Sequence, residues 1–93
     1  MKAHDLKNLR NRVDILDKQL LFALLKRFGV VTKIGEYKKK HNLKAWDKKR
    51  EKEMRIQCLK FAQKNGLSGR FVTSIFSLIW KESRQRQQNV IKG

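Results

Sequence analysis

Apolar residues recur at steps of three and four along the first part of the chain, the spacing of one face of an α-helix. The pattern predicts a first helix from about residue 4 to about residue 40. At roughly 1.5 Å per residue this very long first helix would measure about 55 Å, more than the core of one small chain can cover. We therefore expect a second chain against its apolar stripe, which comprises Leu6, Leu9, Val13, Leu16, Leu20, Ala23, Leu24, Val31 and Ile34.

A second helix is predicted after a loop at residues 41–46. Asp47 is a suitable N-cap, because its carboxylate can accept hydrogen bonds from the amides of the next turn. The helical pattern continues to about Lys64, and Asn65 with Gly66 is a typical helix stop. Cys58 lies within this pattern among apolar neighbours, so we interpret it as a small core residue.

A third helix is predicted after Ser68, which is placed to cap it, and its apolar spacing extends to about Gln88. We expect residues 89–93 to fray as a flexible tail. Strands are not favoured, since no window alternates cleanly between apolar and polar residues. The sequence thus predicts an all-α fold of three helices in a single domain over residues 1–93, with an ordered core at about residues 5–88.

The charge of the chain indicates an anionic partner. Among 93 residues, 24 are lysine or arginine and 8 are aspartate or glutamate, which gives a formal net charge of +16 at pH 7. Nucleic acid, an acidic membrane surface and an anionic substrate are the usual partners of such a charge. No stretch approaches the roughly 20 apolar residues of a membrane span, and the charged beginning does not look like a secretory signal. We therefore expect a cytoplasmic protein.

Two cations of the first helix lie within its apolar stripe. At 100° per residue, and with the direction of Leu20 as the centre, Arg27 falls about 20° away and Lys38 falls on the centre. Arg10 lies about 80° off, on the flank. A buried cation needs a partner, which can be a carboxylate of the chain, solvent reached by the extended side chain, or an anionic ligand. The scarcity of carboxylates favours the ligand.

Polar residues on the other helices extend this pattern. Ser83 and Gln87 continue the apolar stripe of the third helix at steps of three and four. Arg50 and Glu51 lie in the first turn of the second helix, directly after the Asp47 cap. Together these residues predict a cationic pocket with one carboxylate and two neutral hydrogen-bonding groups.

Side chains for covalent or metal-dependent chemistry are missing from the pattern. Cys58 has no evident base beside it, and His4 and His41 lie in terminal or loop positions. No metal-ligand cluster and no glycine-rich phosphate loop is visible. An enzyme of this kind would act by orientation and electrostatics, without a metal or other cofactor.

These residues resemble the all-α, type II chorismate mutases over nearly the whole chain, from about Leu6 to Gln88. The matching elements are the opening run Leu9-Arg10-Asn11-Arg12-Val13-Asp14-Ile15-Leu16-Asp17 with Leu20-Leu21, Arg27 with Lys38 eleven residues later, Asp47-x-x-Arg50-Glu51, and Glu82-Ser83-x-x-x-Gln87. The combination is specific, although each piece alone is weak. The resemblance implies the Claisen rearrangement of chorismate to prephenate, in the pathway to phenylalanine and tyrosine, with no cofactor.

The resemblance also implies roles for the matching residues. Lys38 and Gln87 would donate hydrogen bonds to the ether oxygen of the substrate, where negative charge develops. Glu51, with the backbone near Asp47, would bind the ring hydroxyl. These groups would form no covalent intermediate.

Arg50 and Ser83 would complete the polar wall of the pocket, and Arg10 and Arg27 would bind the two substrate carboxylates. Arg10 and Arg27 are about 25 Å apart along one straight helix, so one small molecule cannot contact both from the same chain. An antiparallel partner could supply Arg10, in agreement with the intertwined helical homodimer of the family and its shared active sites.

Three alternatives remain open at this point. Isochorismate-pyruvate lyase has the same fold and a similar pocket, although Glu51 after Arg50, together with Ser83, is more similar to the mutase. A basic helical nucleic-acid-binding module would account for the charge and for Trp46 near lysines, but the cations are not confined to one face. The third alternative is an impaired mutase-like subunit that acts only with another protein.

Overall fold

The computed structural model describes residues 3–93, which form three α-helices and, within that range, no strand. The helices are α1 (Ala3–Lys40), α2 (Lys48–Asn65) and α3 (Gly69–Lys92). The prediction of an all-helical chain with three helices is therefore confirmed. The contacts divide the described residues into two compact units at Val30 and Val31. Each unit is described by itself.

The unit of residues 3–30 presents apolar side chains along its helix. Leu9, Val13, Leu16 and Leu20 belong to the predicted stripe, and their exposed fractions are 38%, 54%, 56% and 65%. Large apolar side chains that remain this exposed in a row are typical of a surface that another element covers. None of the helices in residues 3–93 is both long and apolar enough to cross a bilayer.

The unit of residues 31–93 contains the packed core, in which α2 and α3 lie against each other. Ala62 of α2 and Trp80 of α3 are buried, with exposed fractions of 1% and 2%. The Arg55 guanidinium lies 5.2 Å from the centre of the Trp80 ring and donates a 3.1 Å hydrogen bond to the Ser77 hydroxyl. The Arg55 head group therefore lies against the indole and also has a polar partner.

The boundaries of α2 follow from local chemistry. The Asp47 carboxylate accepts a 3.0 Å hydrogen bond from the Arg50 amide, as predicted for an N-cap. The helix ends where Gly66 adopts the left-handed conformation, with φ at 70°, and its amide bonds the Ala62 carbonyl. Glycine adopts this conformation at less steric cost than residues with a Cβ atom, and the predicted stop at Asn65 and Gly66 is confirmed.

The third helix begins as predicted and ends later. The Ser68 hydroxyl accepts a 3.2 Å hydrogen bond from the Phe71 amide. The predicted end near Gln88 is wrong, since α3 continues to Lys92. Two contacts account for the extension: Val90 packs closely against Gly35 of α1, and the Gly93 carbonyl accepts a 2.5 Å hydrogen bond from Lys39 Nζ.

Candidate active site

Lys38 and Gln87 meet in the unit of residues 31–93. Lys38 Nζ donates a hydrogen bond to Gln87 Oε1 over 2.7 Å, and the Gln87 side chain is buried, with 8% of the residue exposed. Among residues 3–93, no carboxylate forms an ion pair with Lys38. The cation at the centre of the predicted stripe is thus held by neutral acceptors, as a ligand-binding lysine would be.

The second acceptor for Lys38 comes from the loop between α1 and α2. Lys38 Nζ lies 2.9 Å from the carbonyl oxygen of Ala45, which is buried. The loop turns back on the last turn of α1, because the Leu43 amide bonds the Lys38 carbonyl at 2.8 Å and Asn42 adopts a positive φ of 56°. The loop predicted at residues 41–46 therefore fixes the ammonium group by its backbone.

Close packing at Gly35 sets the separation of Lys38 and Gln87. A Cβ atom at Gly35 would lie 3.2 Å from Gln87 Cα and 3.2 Å from Val90 Cβ. The absence of a side chain lets the last part of α1 approach α3 at the level of Gln87. Since Gly35 and Lys38 are one helical turn apart, this contact places the lysine beside the glutamine.

Ser83 lies one turn before Gln87 on α3 and is also buried, with 6% exposed. Its hydroxyl donates a 2.7 Å hydrogen bond to the Ile79 carbonyl. This bond to the preceding turn satisfies the hydroxyl hydrogen within α3. Ser83 and Gln87 were predicted to continue the apolar stripe of the third helix. Both are buried polar residues on one face of α3.

Glu51 takes part in a contact that the sequence analysis did not include. Arg84 NH1 lies 2.5 Å from Glu51 Oε1, and the side chains are 30% and 20% exposed. The Arg84 guanidinium also lies 4.9 Å from the centre of the Trp46 ring, and Lys48 Nζ lies 4.6 Å from the same centre. In the sequence, the only indication of this contact is that Arg84 directly follows Ser83, a residue of the predicted site.

Arg50 and Asp47 have different surroundings. The Arg50 side chain is 57% exposed and lies 3.9 Å from the Glu53 carboxylate, while the Asp47 carboxylate caps α2. Among the hydrogen bonds and ion pairs of residues 3–93, none joins either side chain to Lys38 or Gln87. Both remain near the loop, where an open cleft of about 590 Å³ is lined by Lys38, Leu43, Lys44, Trp46, Asp47 and Lys48. Three lysines and one carboxylate in this lining favour an anionic ligand.

Arg10 and Arg27 lie on α1 in the unit of residues 3–30. Arg10 is exposed, and Arg27 is half-buried. Within residues 3–93, no three side chains among His, Cys, Asp and Glu cluster as metal ligands would.

Comparison with known proteins identifies a family for this chain. The family model for chorismate mutase type II matches residues 9–88. The bifunctional chorismate mutase/prephenate dehydratase of Buchnera aphidicola subsp. Schizaphis graminum is 32% identical over 88 residues, which are 95% of this chain and 23% of that protein. The T-protein of Haemophilus influenzae is 32% identical over 79 residues, which are 84% of this chain and 21% of that protein.

The chain therefore belongs to the chorismate mutase type II family. It spans less than a quarter of the length of the curated relatives it matches. The dehydratase activity in the name of the Buchnera protein is a property of that longer protein.

Proposed function

We propose that this chain catalyses the rearrangement of chorismate to prephenate in phenylalanine and tyrosine biosynthesis. The observation that carries the proposal is the 2.7 Å contact between Lys38 Nζ and Gln87 Oε1, on a lysine without a carboxylate partner in residues 3–93. The family membership of residues 9–88 supports the choice of substrate.

Lys38 and Gln87 both retain hydrogen-bond donors for a ligand. The ammonium group has three N–H bonds, of which Ala45 and Gln87 engage two. Gln87 accepts through Oε1, so the Nε2 group is left to donate. In the proposed reaction, the ether C–O bond of chorismate breaks as a new C–C bond forms within the same molecule. Negative charge develops on the ether oxygen, and donors already fixed in place stabilise this charge without reorganisation.

The remaining residues would select and orient the substrate. Glu51 would accept a hydrogen bond from the ring hydroxyl, and the backbone near Asp47 would help to bind the same group. Arg50 and Ser83 would complete the polar wall. No proton is transferred and no covalent intermediate is formed, so holding the reacting carbons close together contributes directly to the rate. No cofactor is needed for this chemistry.

We further propose that two copies, each a single domain, associate along their first helices as an intertwined homodimer. The exposed stripe on residues 3–30 supports the association, because a second stripe of the same kind would cover it. The substrate has two carboxylates, and Arg10 and Arg27 are about 25 Å apart along one helix. An antiparallel copy would bring its Arg10 to the Arg27 side of the first chain's site.

The test is the loss of chorismate absorbance on addition of the purified chain, with prephenate identified as the product. Isochorismate is assayed in parallel. Prephenate from chorismate supports the proposal, whereas pyruvate release from isochorismate without any prephenate would establish the lyase instead. No turnover of either compound by a folded chain contradicts both.

The dimer is tested separately by light scattering. Leu16→Glu and Leu20→Glu place carboxylates in the exposed stripe, and both are expected to shift the mass from dimer to monomer and to abolish turnover. Lys18→Glu, on the same helix and outside the stripe, is the matched control and should remain dimeric. A monomeric and fully active wild-type chain would refute the shared site.

A further inference from the structure

Arg84 joins three elements of the site by its guanidinium group. It pairs with Glu51 at the start of α2, lies against Trp46 of the loop, and belongs to α3, where it directly follows Ser83. The pair is less exposed than the other ion pair of α3, in which Arg86 and Glu82 are 46% and 52% exposed. Charges that are partly removed from water interact more strongly than charges at the surface.

We propose that Arg84 is a positioning residue, which holds Glu51 and neutralises its charge so that Glu51 can accept a hydrogen bond from the hydroxyl group of a dianionic substrate. This inference rests on the proposed function. A carboxylate in a site for a dianion is otherwise unfavourable, since like charges repel at short range. Arg84 compensates this repulsion from the side of α3.

The geometry leaves Glu51 able to bind a hydroxyl group. Arg84 engages Glu51 Oε1 through NH1, so the described contact occupies one of the two carboxylate oxygens. Oε2 remains as an acceptor for the substrate. The guanidinium also lies 4.9 Å from the centre of the Trp46 ring, and a planar cation is attracted to the face of an indole.

This role predicts an effect on binding more than on the chemical step. Glu51 would contact the hydroxyl in the ground state and in the transition state alike, and the loss of such uniform binding raises KM at nearly constant kcat. We expect Arg84→Met to raise KM about tenfold and to lower kcat by less than about threefold. Arg86→Met removes the same charge from the same helix and should change KM by less than about twofold.

A double-mutant cycle separates a role through Glu51 from direct contact with the substrate. If Arg84 acts through Glu51, Arg84→Met should change KM by less than about twofold in a Glu51→Gln background. The same tenfold effect in both backgrounds would overturn the proposal. Arg84→Lys keeps the charge without the planar group and should give an intermediate KM, which also guards against a folding defect of the methionine variant.

The two proposals fail in different ways in this experiment. A wild-type chain without turnover removes the proposed function and, with it, the role of Arg84. A wild-type chain with turnover in which Arg84→Met and Arg86→Met have equal KM values leaves the function intact and overturns the role of Arg84 alone.

Discussion

Lys38 Nζ and Gln87 Oε1 lie 2.7 Å apart, although the two residues are separated by 49 positions in the sequence. The pair joins the end of α1 to the end of α3, and the Ala45 carbonyl completes the environment of the ammonium group. No carboxylate of residues 3–93 forms an ion pair with this lysine. In the proposed reaction, donors held in this way would stabilise the charge that develops on the ether oxygen without first having to move.

The contact at Gly35 is expected to be sensitive to a single methyl group. Gly35→Ala should lower the free energy of unfolding by about 1 kcal/mol, since crowding against Gln87 Cα and Val90 outweighs the gain in helix propensity. Turnover should fall as well, because the crowding displaces α3 relative to Lys38. Gly29→Ala is the matched control on α1, where a Cβ meets nothing within 4 Å.

Chemical unfolding followed by circular dichroism measures both glycine variants. Gly29→Ala should raise the free energy of unfolding by up to about 1 kcal/mol, the propensity difference between glycine and alanine in a helix. If both alanines stabilise the chain equally, a Cβ atom at Gly35 must have more room than its 3.2 Å distances to Gln87 Cα and Val90 Cβ allow.

The N-cap at Asp47 makes a separate prediction about stability. Asp47→Ala leaves the Arg50 amide without its 3.0 Å partner and should lower the free energy of unfolding by about 1 kcal/mol. Asp47→Asn keeps an oxygen acceptor and should lie close to the wild type. Thermal unfolding of the three proteins is the measurement, and equal destabilisation by alanine and asparagine would assign the effect to the charge instead of the cap.

Cys58 makes a prediction about reactivity. Burial raises the pKa of the Cys58 thiol, and nearby Arg55 opposes this shift only in part. A raised pKa means less thiolate at a given pH, so iodoacetamide should alkylate the folded chain more slowly than the urea-unfolded chain at pH 8. Equal alkylation rates for the folded and the unfolded chain would show that the thiol is fully accessible to solvent in the folded state.

The same pKa shift determines whether the stability contributed by Cys58 rises or falls with pH. The folded state holds the thiol proton more tightly than the unfolded state, so the contribution of Cys58 to stability is present at neutral pH and is lost as the pH rises past the ordinary thiol pKa. The difference in stability between the wild type and Cys58→Ala should therefore shift in favour of Cys58→Ala between pH 7 and pH 10.

Local chemistry made the helix boundaries predictable. The Asp47 and Ser68 caps and the Gly66 stop depend on residues close in sequence, so the pattern alone located them. The end of α3 depends on Gly35 and Lys39 of another helix. Such contacts leave no periodic signal near Gln88, which is why the predicted end was four residues early.

The polar residues of the site were predictable where they interrupt an apolar stripe. Lys38, Ser83 and Gln87 stand out for this reason, and the last two are buried as expected. Arg84 does not interrupt the stripe, and its partners Glu51 and Trp46 lie on other elements. The sequence could not show that contact, because it arises only when α2, α3 and the loop pack together.

The most direct test of the central claim is the turnover of chorismate by Lys38→Ala compared with Lys40→Ala. Both variants remove one positive charge from the end of α1, but Lys40 is exposed and lies outside the contact with Gln87. Loss of one fixed donor to a developing oxyanion lowers kcat by about 100-fold to 1000-fold. We predict a decrease of that size for Lys38→Ala and a kcat within about twofold of wild type for Lys40→Ala. Equal kcat values for two folded variants would contradict the account.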